Sequence, residues 1–147
     1  SSKVLTEMKI LFESPKELLL GREKRSKLLK VDSLAYVLFK QFRVYLEKNG
    51  VSCSPDRMDL HAELLSKADK SYDPKTQEKR IAFIESKDYN PYDRANWGFM
   101  GKAFCFFLGP LEGHGGTPHV TLAYLSKLTK YDKERCLNAL GQVLREY

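Results

Sequence analysis

The sequence is poor in cysteine and has no long apolar run. Only three cysteines occur among 147 residues, Cys53, Cys105 and Cys136, and no two of them form a Cys-x-x-Cys pair. Their odd number and wide spacing argue against a disulfide framework and against a thiolate zinc site. We therefore expect a reducing compartment, the cytosol or the nucleus. Because no stretch contains 18 consecutive apolar residues, no contact with a membrane is expected.

The sequence also lacks repeats, low-complexity segments and a linker that would divide it. Apolar residues make up 42% of the chain and aromatic residues 12%, which is too much for a disordered protein. At this length a single hydrophobic core can form without a metal or a disulfide. The sequence thus predicts one domain over residues 1–147.

Positive charge is in excess and is concentrated near the N-terminus. The chain has 25 Lys and Arg against 19 Asp and Glu, and residues 1–50 alone have 11 against 6. Such a charge balance permits an anionic partner such as RNA. A cationic run either follows an RNA backbone or forms the solvated face of a helix. The candidate RNA surface is the run of five cations within nine residues, Arg22, Lys24, Arg25, Lys27 and Lys30.

Helix signals occur at three places in the sequence. Ser14-Pro15-Lys16-Glu17 combines an N-cap, a proline at the first helical position and a capping-box glutamate. A second helix is predicted between Asp32 and Asn49-Gly50, with apolar residues at helical spacing: Leu34, Leu38, Phe42, Tyr45 and Leu46. A third helix is predicted to begin at Asp132 and to turn inward Leu137, Leu140, Val143 and Leu144.

Strand patterns alternate with these helices. Apolar runs and period-two alternation predict strands over 3–12, 57–64, 80–85, 99–108 and 117–125, with exposed loops over 66–80 and 86–98. In the last strand, Val120, Leu122 and Tyr124 are expected on one face and His119, Thr121 and Ala123 on the other. The aromatic residues of the second loop either stack on bases or cover the core; they are Tyr89, Tyr92 and Trp97.

Two of the three histidines lie in alternating segments, each with a polar residue two positions later. His61 is followed by Glu63, and His119 by Thr121. Unperturbed histidine titrates near pH 6.5, so one imidazole can accept a proton while another donates one. Residues two positions apart share a strand face at about 6.6–7 Å, where a hydroxyl can hold a phosphate oxygen. The pattern suits acid–base cleavage of a phosphoester.

These residues carry a family resemblance. Pro118-His119-Val120-Thr121-Leu122 resembles the second His-x-Thr motif of the two-histidine phosphoesterase superfamily, and most of all its 2′,3′-cyclic-nucleotide phosphodiesterase branch. Gly101-Lys102-Ala103-Phe104 is similar to the strand segment that precedes this motif. The resemblance implies a bilobal α+β fold of antiparallel sheets flanked by helices. It also implies that His61 and His119 are catalytic across a cleft, that Thr121 binds phosphate, and that no metal or cofactor is required.

Glu63 stands where this family has Thr or Ser, so its contact with substrate is uncertain. An ionised carboxylate only accepts hydrogen bonds and repels phosphate. Two functions therefore stay open. The first is a phosphodiesterase that hydrolyses 2′,3′-cyclic phosphates on RNA ends or small nucleotides. The alternative is a non-catalytic RNA- or protein-binding module with the same fold.

Metal chemistry is the remaining alternative for the histidines. Asp59, His61, Glu63 and His119 could supply oxygen and nitrogen ligands, although carboxylates beside a histidine on an exposed strand are more often solvated. His61-Ala62-Glu63 also matches the His-x-Glu of zinc nucleobase deaminases, but the Pro-Cys-x-x-Cys of those enzymes is missing. We therefore expect no metal.

Overall fold

The computed structural model describes residues 9–10, 33–51, 74–109, 118–125 and 129–146. These residues form helices α1 (Ser33–Lys48), α2 (Pro74–Ser86) and α3 (Lys130–Glu146), a short 3-10 helix (Arg94–Asn96), and strands β1 (Trp97–Met100), β2 (Ala103–Phe107) and β3 (His119–Tyr124). The mixed α+β class predicted from the sequence is confirmed. No helix in this part of the chain is long and apolar enough to cross a membrane.

Helix α1 ends at the residues that the sequence predicts. The Gly50 amide donates to the Glu47 carbonyl at 2.9 Å, and the Val51 amide donates to the Leu46 carbonyl at 2.9 Å. This is the Schellman pattern, which requires a left-handed residue after the helix. Gly50 fills that position with a φ of +78°. The chain is thereby turned so that Val51 is buried beside the helix.

The predicted single strand over 99–108 is wrong, because the segment is a hairpin. Strands β1 and β2 pair antiparallel, with Met100 opposite Ala103. The two-residue connection begins at Gly101, whose φ of +58° suits the first central position of a tight hairpin turn. Apolar residues on both sides of Gly101-Lys102 concealed the turn. Trp97, which the sequence placed in a loop, begins β1.

Strand β3 follows β2 antiparallel and contains an irregularity that the sequence did not predict. Phe104 pairs with Ala123 and Cys105 with Thr121, so Leu122 is an extra residue on β3. A bulge of this kind shifts the alternation of side chains by one position. Ala123 therefore lies on the face of Val120, and Tyr124 on the face of Thr121. The expected placement of these two residues was wrong, whereas His119 and Thr121 share a face as predicted.

Helix α2 contradicts the strand predicted over 80–85 and part of the loop predicted over 66–80. Its inward residues Ile81 and Ile84 are three positions apart and buried, as on a helix face. The run Ile81-Ala82-Phe83-Ile84 has no polar residue, and such a short apolar run fits a strand or a buried helix equally well. The signal that was overlooked is Pro74, which suits the first helical position.

Helix α3 begins two residues earlier than predicted. The Asp132 amide donates to the Thr129 hydroxyl at 3.1 Å, and the Thr129 hydroxyl donates to the Asp132 carboxylate at 2.6 Å. Thr129 is therefore the N-cap, and Asp132 is the third helical residue of a capping box. Leu137 was expected to point inward, but it is 45% exposed, while Cys136 and Ala139 are buried.

The core lies between α1 and one face of the sheet and consists mainly of aromatic rings. Phe39 meets Phe106 with ring centroids 5.6 Å apart, and Phe42 meets Trp97 at 5.1 Å and Phe104 at 5.4 Å. Helix α3 packs beside α1, where Asn49 donates to the Gln142 side chain at 2.9 Å.

We expect Phe42→Ala to lower the free energy of unfolding by about 3–5 kcal/mol, because it leaves a cavity among Trp97, Phe104 and the helix. Val44 lies on the same helix but is 42% exposed. Val44→Ala should therefore change stability by no more than about 0.5 kcal/mol. Urea denaturation of both variants measures the difference. Similar losses in the two variants would contradict the packing of α1 on the sheet.

Candidate functional site

His119 is the first residue of β3 and lies on the face of the sheet opposite the aromatic core. It pairs directly with Phe107, the last residue of β2. Directly opposed residues in an antiparallel pair have Cβ atoms about 4.5–5.5 Å apart and project from the same face. Both side chains are partly exposed. A histidine and an aromatic ring are thus adjacent and accessible at one end of the sheet.

Thr121 lies behind His119 on the same face. It pairs with Cys105, and its hydroxyl is 3.7 Å from the Cys105 sulfur. Thr121 is only 8% exposed. Two residues of strand separate it from His119 by about 6.6–7 Å. The two sequence-predicted residues that the structure describes are therefore brought together, with the histidine outermost.

Cys105 is a buried neighbour of this pair, and its chemistry is that of a thiol. Burial raises its pKa, while hydrogen bonds from Thr121 and from the Met100 backbone partly counteract that rise. Because a nucleophilic cysteine must be a thiolate, a raised pKa argues against this role. The Cys105 side chain instead supports the Thr121 hydroxyl from the interior.

A cavity of about 280 Å³ adjoins the outer end of this face. Phe107 forms part of its wall, together with Lys87, Tyr89, Asn90, Asn96 and Gly109. Phe107 connects the cavity to His119, its cross-strand partner, although His119 itself does not line the cavity. The sequence reasoning missed these lining residues. They come from three separate segments, and no local pattern brings them together.

The position of the Phe107 ring depends on Gly98. A Cβ atom at position 98 would lie 2.9 Å from Cε2 of Phe107, closer than ordinary van der Waals contact. The ring therefore covers the glycine directly. Gly98 pairs with Cys105 across β1 and β2, so the ring packs on the same face that carries Thr121.

The cavity wall contains one cation and one carboxylate, Lys87 and Asp88. The Lys87 ammonium lies 5.6 Å from the centroid of the Tyr89 ring and 5.7 Å from that of Phe83. The Asp88 carboxylate is paired at 2.7 Å with Lys9, which does not line the cavity.

Tyr89 and Trp97 cover the core, which decides between the two interpretations for these two residues, while Tyr92 packs against the core and stays partly exposed. Both Tyr89 and Trp97 are buried. The Trp97 indole donates to the Pro91 carbonyl at 2.9 Å, and the Tyr89 hydroxyl donates to the Leu108 carbonyl at 3.2 Å. Neither ring is available to stack on a base. Phe107 and Tyr124 are partly exposed aromatic residues on the face that carries Thr121.

Several predicted site residues lie outside the described part of the chain: His61, Glu63, Arg22, Lys24, Arg25, Lys27 and Lys30. His114 and Asp59 lie outside it as well. Among the residues that the structure does describe, no group of three or more His, Cys, Asp or Glu side chains could hold a metal ion.

Comparisons of the chain with family models, with curated proteins and with solved structures found no match in any of the three. The chemistry of the site must therefore be judged from its own residues. Those residues are a partly exposed histidine, a hydroxyl behind it, and a cavity lined by Phe107, the cross-strand partner of the histidine.

Tyr89→Phe tests the wall of the cavity. The change removes one hydrogen bond to the Leu108 carbonyl and should lower the free energy of unfolding at pH 7 by about 0.5–1.5 kcal/mol. Burial raises the pKa of Tyr89. Its stabilising effect is therefore fully present below about pH 10 and is lost as the pH rises further, because the unfolded chain releases the proton first.

Denaturation curves between pH 8 and 11 should accordingly fall less steeply for Tyr89→Phe than for the wild type. Tyr131→Phe is the matched control, since Tyr131 is exposed and its stacking with Arg135 needs only the ring. Equal slopes for Tyr89→Phe and the wild type would contradict the buried phenol.

Proposed function

We propose that the protein is a metal-independent phosphodiesterase of the two-histidine type. It hydrolyses 2′,3′-cyclic phosphates on RNA ends or small nucleotides, and its fold is the bilobal one of that superfamily. The observation that carries the proposal is the order of groups on one strand face. Thr121 lies behind His119, and His119 lies opposite Phe107, which lines a cavity.

The proposed reaction needs one acid and one base. His61 takes a proton from water, the water oxygen attacks phosphorus, and the bond from phosphorus to the 3′ oxygen breaks. His119 donates a proton to the departing 3′ oxygen, so that the product is a 2′-phosphate with a free 3′-hydroxyl. The two histidines can also exchange these roles. The Thr121 hydroxyl donates to a phosphate oxygen as charge develops on it.

The cavity beside His119 suits the base and ribose of one nucleotide. Its volume of about 280 Å³ lies just below the range of about 300–1,000 Å³ typical of drug-sized ligands. Phe107 offers a ring for stacking. Asn90 and Asn96 contribute amide groups, each of which has one end engaged: Asn90 Oδ1 accepts from the Tyr92 amide, and Asn96 Nδ2 donates to the Asn90 carbonyl.

The cellular site that fits this reaction is the cytosol or the nucleus. Cys105 and Cys136 are free thiols in the described part of the chain, and their burial is compatible with a reducing compartment. RNA ends with cyclic phosphates are the proposed substrates there.

His119→Ala and His61→Ala should each lower kcat by about 10²–10⁴, the usual contribution of a positioned proton donor or acceptor. His114→Ala is the matched control and should leave kcat unchanged, because the proposal gives that residue no role. The assay is hydrolysis of a 2′,3′-cyclic mononucleotide in EDTA, with the 2′-phosphate product identified by phosphorus NMR.

Retained activity in both histidine variants would remove the proposal. An inactive wild-type protein would instead favour the alternative, a non-catalytic module that binds RNA or protein. In that case binding of an oligoribonucleotide should weaken with salt. Replacing the four cations Arg22, Lys24, Arg25 and Lys27 by serine should flatten the salt dependence.

Glu63→Thr tests whether the carboxylate two residues after His61 impairs the proposed site. If the carboxylate repels the substrate phosphate, the threonine should raise kcat/KM for the cyclic nucleotide, with an upper limit of about 10²–10³ for one restored donor. Glu63→Gln is the control, since it removes the charge and keeps the length of the side chain. A loss of activity in Glu63→Thr would mean that Glu63 is itself a base or a substrate contact.

A further inference from the structure

Two arginines from different elements converge on one point over helix α3. A Cβ atom placed on Gly141 would lie 3.0 Å from Nη2 of Arg94 and 3.4 Å from Nη1 of Arg145. Arg145 is one helical turn after Gly141, and long helical side chains lean towards the N-terminus. Arg94 comes from the 3-10 helix that precedes β1. The two guanidinium groups therefore meet above the glycine.

Gly141 leaves room for this convergence, and its backbone conformation does not itself require glycine. It is absent from the positive-φ glycines of the described chain, which are Gly50, Gly101 and Gly109. Glycine in a helix interior is destabilising relative to alanine, yet here it occupies the middle of α3. The missing side chain leaves the space that Nη2 of Arg94 approaches.

The two positive charges lack an acidic partner within the described residues. No carboxylate there forms an ion pair with Arg94 or Arg145. Two carboxylates are adjacent to these arginines in sequence: Asp93 accepts a hydrogen bond from the Ala95 amide at 3.0 Å, and Glu146 has an interaction of its own. Two like charges held close together repel each other, so an anion between them would relieve the repulsion.

We propose that Arg94 and Arg145 form a binding site for a phosphate group, which belongs either to an RNA backbone or to a small phosphoester. The planar guanidinium matches phosphate geometry, and its charge-assisted hydrogen bonds are about 2.7–2.9 Å long. Both side chains are exposed, so a phosphate can approach from solvent. This site is independent of the hydrolysis proposed for His119, since it would serve an enzyme and a binding module alike.

The site lies at the same end of the sheet as His119. Arg94 lies three residues before Trp97, which pairs with Phe106, and the next residue, Phe107, pairs with His119. Helix α3 packs beside α1 on the core side of the sheet, whereas His119 lies on the opposite face. An RNA strand that contacts both His119 and the two arginines would therefore pass around this end of the sheet.

The test measures binding directly in the full chain. Titration with inorganic phosphate should shift the Nε–Hε NMR signals of Arg94 and Arg145, while sodium acetate at equal ionic strength should shift them less. Gly141→Ala should weaken these shifts without unfolding the protein, because it fills the space between the guanidinium groups and improves helix propensity.

A fluorescent oligouridylate distinguishes the two sources of phosphate. In Arg94→Gln/Arg145→Gln the log–log salt slope of binding should fall by about 0.7 for one lost phosphate contact. Lys130→Gln/Lys133→Gln removes two charges from the opposite end of α3 and should retain the slope. If Arg94→Gln/Arg145→Gln keeps the wild-type salt slope, and phosphate shifts the arginine signals of the wild type, the site binds small phosphoesters.

Absence of arginine shifts with both phosphate and oligouridylate would overturn the proposal. The proposal would also be overturned if the salt slope of oligouridylate binding changed equally in Arg94→Gln/Arg145→Gln and in Lys130→Gln/Lys133→Gln, and phosphate shifted neither arginine signal. Neither readout requires turnover, so an inactive protein leaves the test intact.

Discussion

The packing of helix α1 on the sheet determines where the candidate site can be. The rings of Phe39 and Phe42 meet those of Trp97, Phe104 and Phe106 on one face of β1 and β2, and α1 also contacts β3. Since side chains alternate across a strand, the residues between these aromatics must lie on the other face. The aromatic core lies on one face of the sheet, and His119, Thr121 and Phe107 therefore lie together on the other face.

The bulge at Leu122 limits how far that alternation extends. Up to Thr121 the strand presents alternate residues to alternate faces, and beyond it the pattern shifts. Ala123 thereby joins the core, while Tyr124 turns to the side of Thr121. Bulges often occur next to active sites, where they redirect a side chain or end a regular pairing. Here the irregularity follows directly after the proposed phosphate ligand.

The sequence predicts those parts of the fold that depend on neighbouring residues. The end of α1 at Asn49-Gly50 and the shared face of His119 and Thr121 each follow from a local pattern, and both are confirmed. The hairpin at Gly101 and the helix over Pro74–Ser86 were missed, because uninterrupted apolar residues do not reveal their period. The cavity could not be predicted, since Lys87, Asn96 and Phe107 meet only through tertiary packing.

The contact between Phe107 and Gly98 has a consequence for affinity. Ordering a mobile side chain at a binding surface costs about 0.5–1.5 kcal/mol. The Phe107 ring already lies against Gly98 of β1, where a Cβ atom would come within 2.9 Å of Cε2. This contact restricts the ring before a ligand arrives. A planar group that stacks there would meet a preorganised surface, and more of the contact energy would remain as affinity.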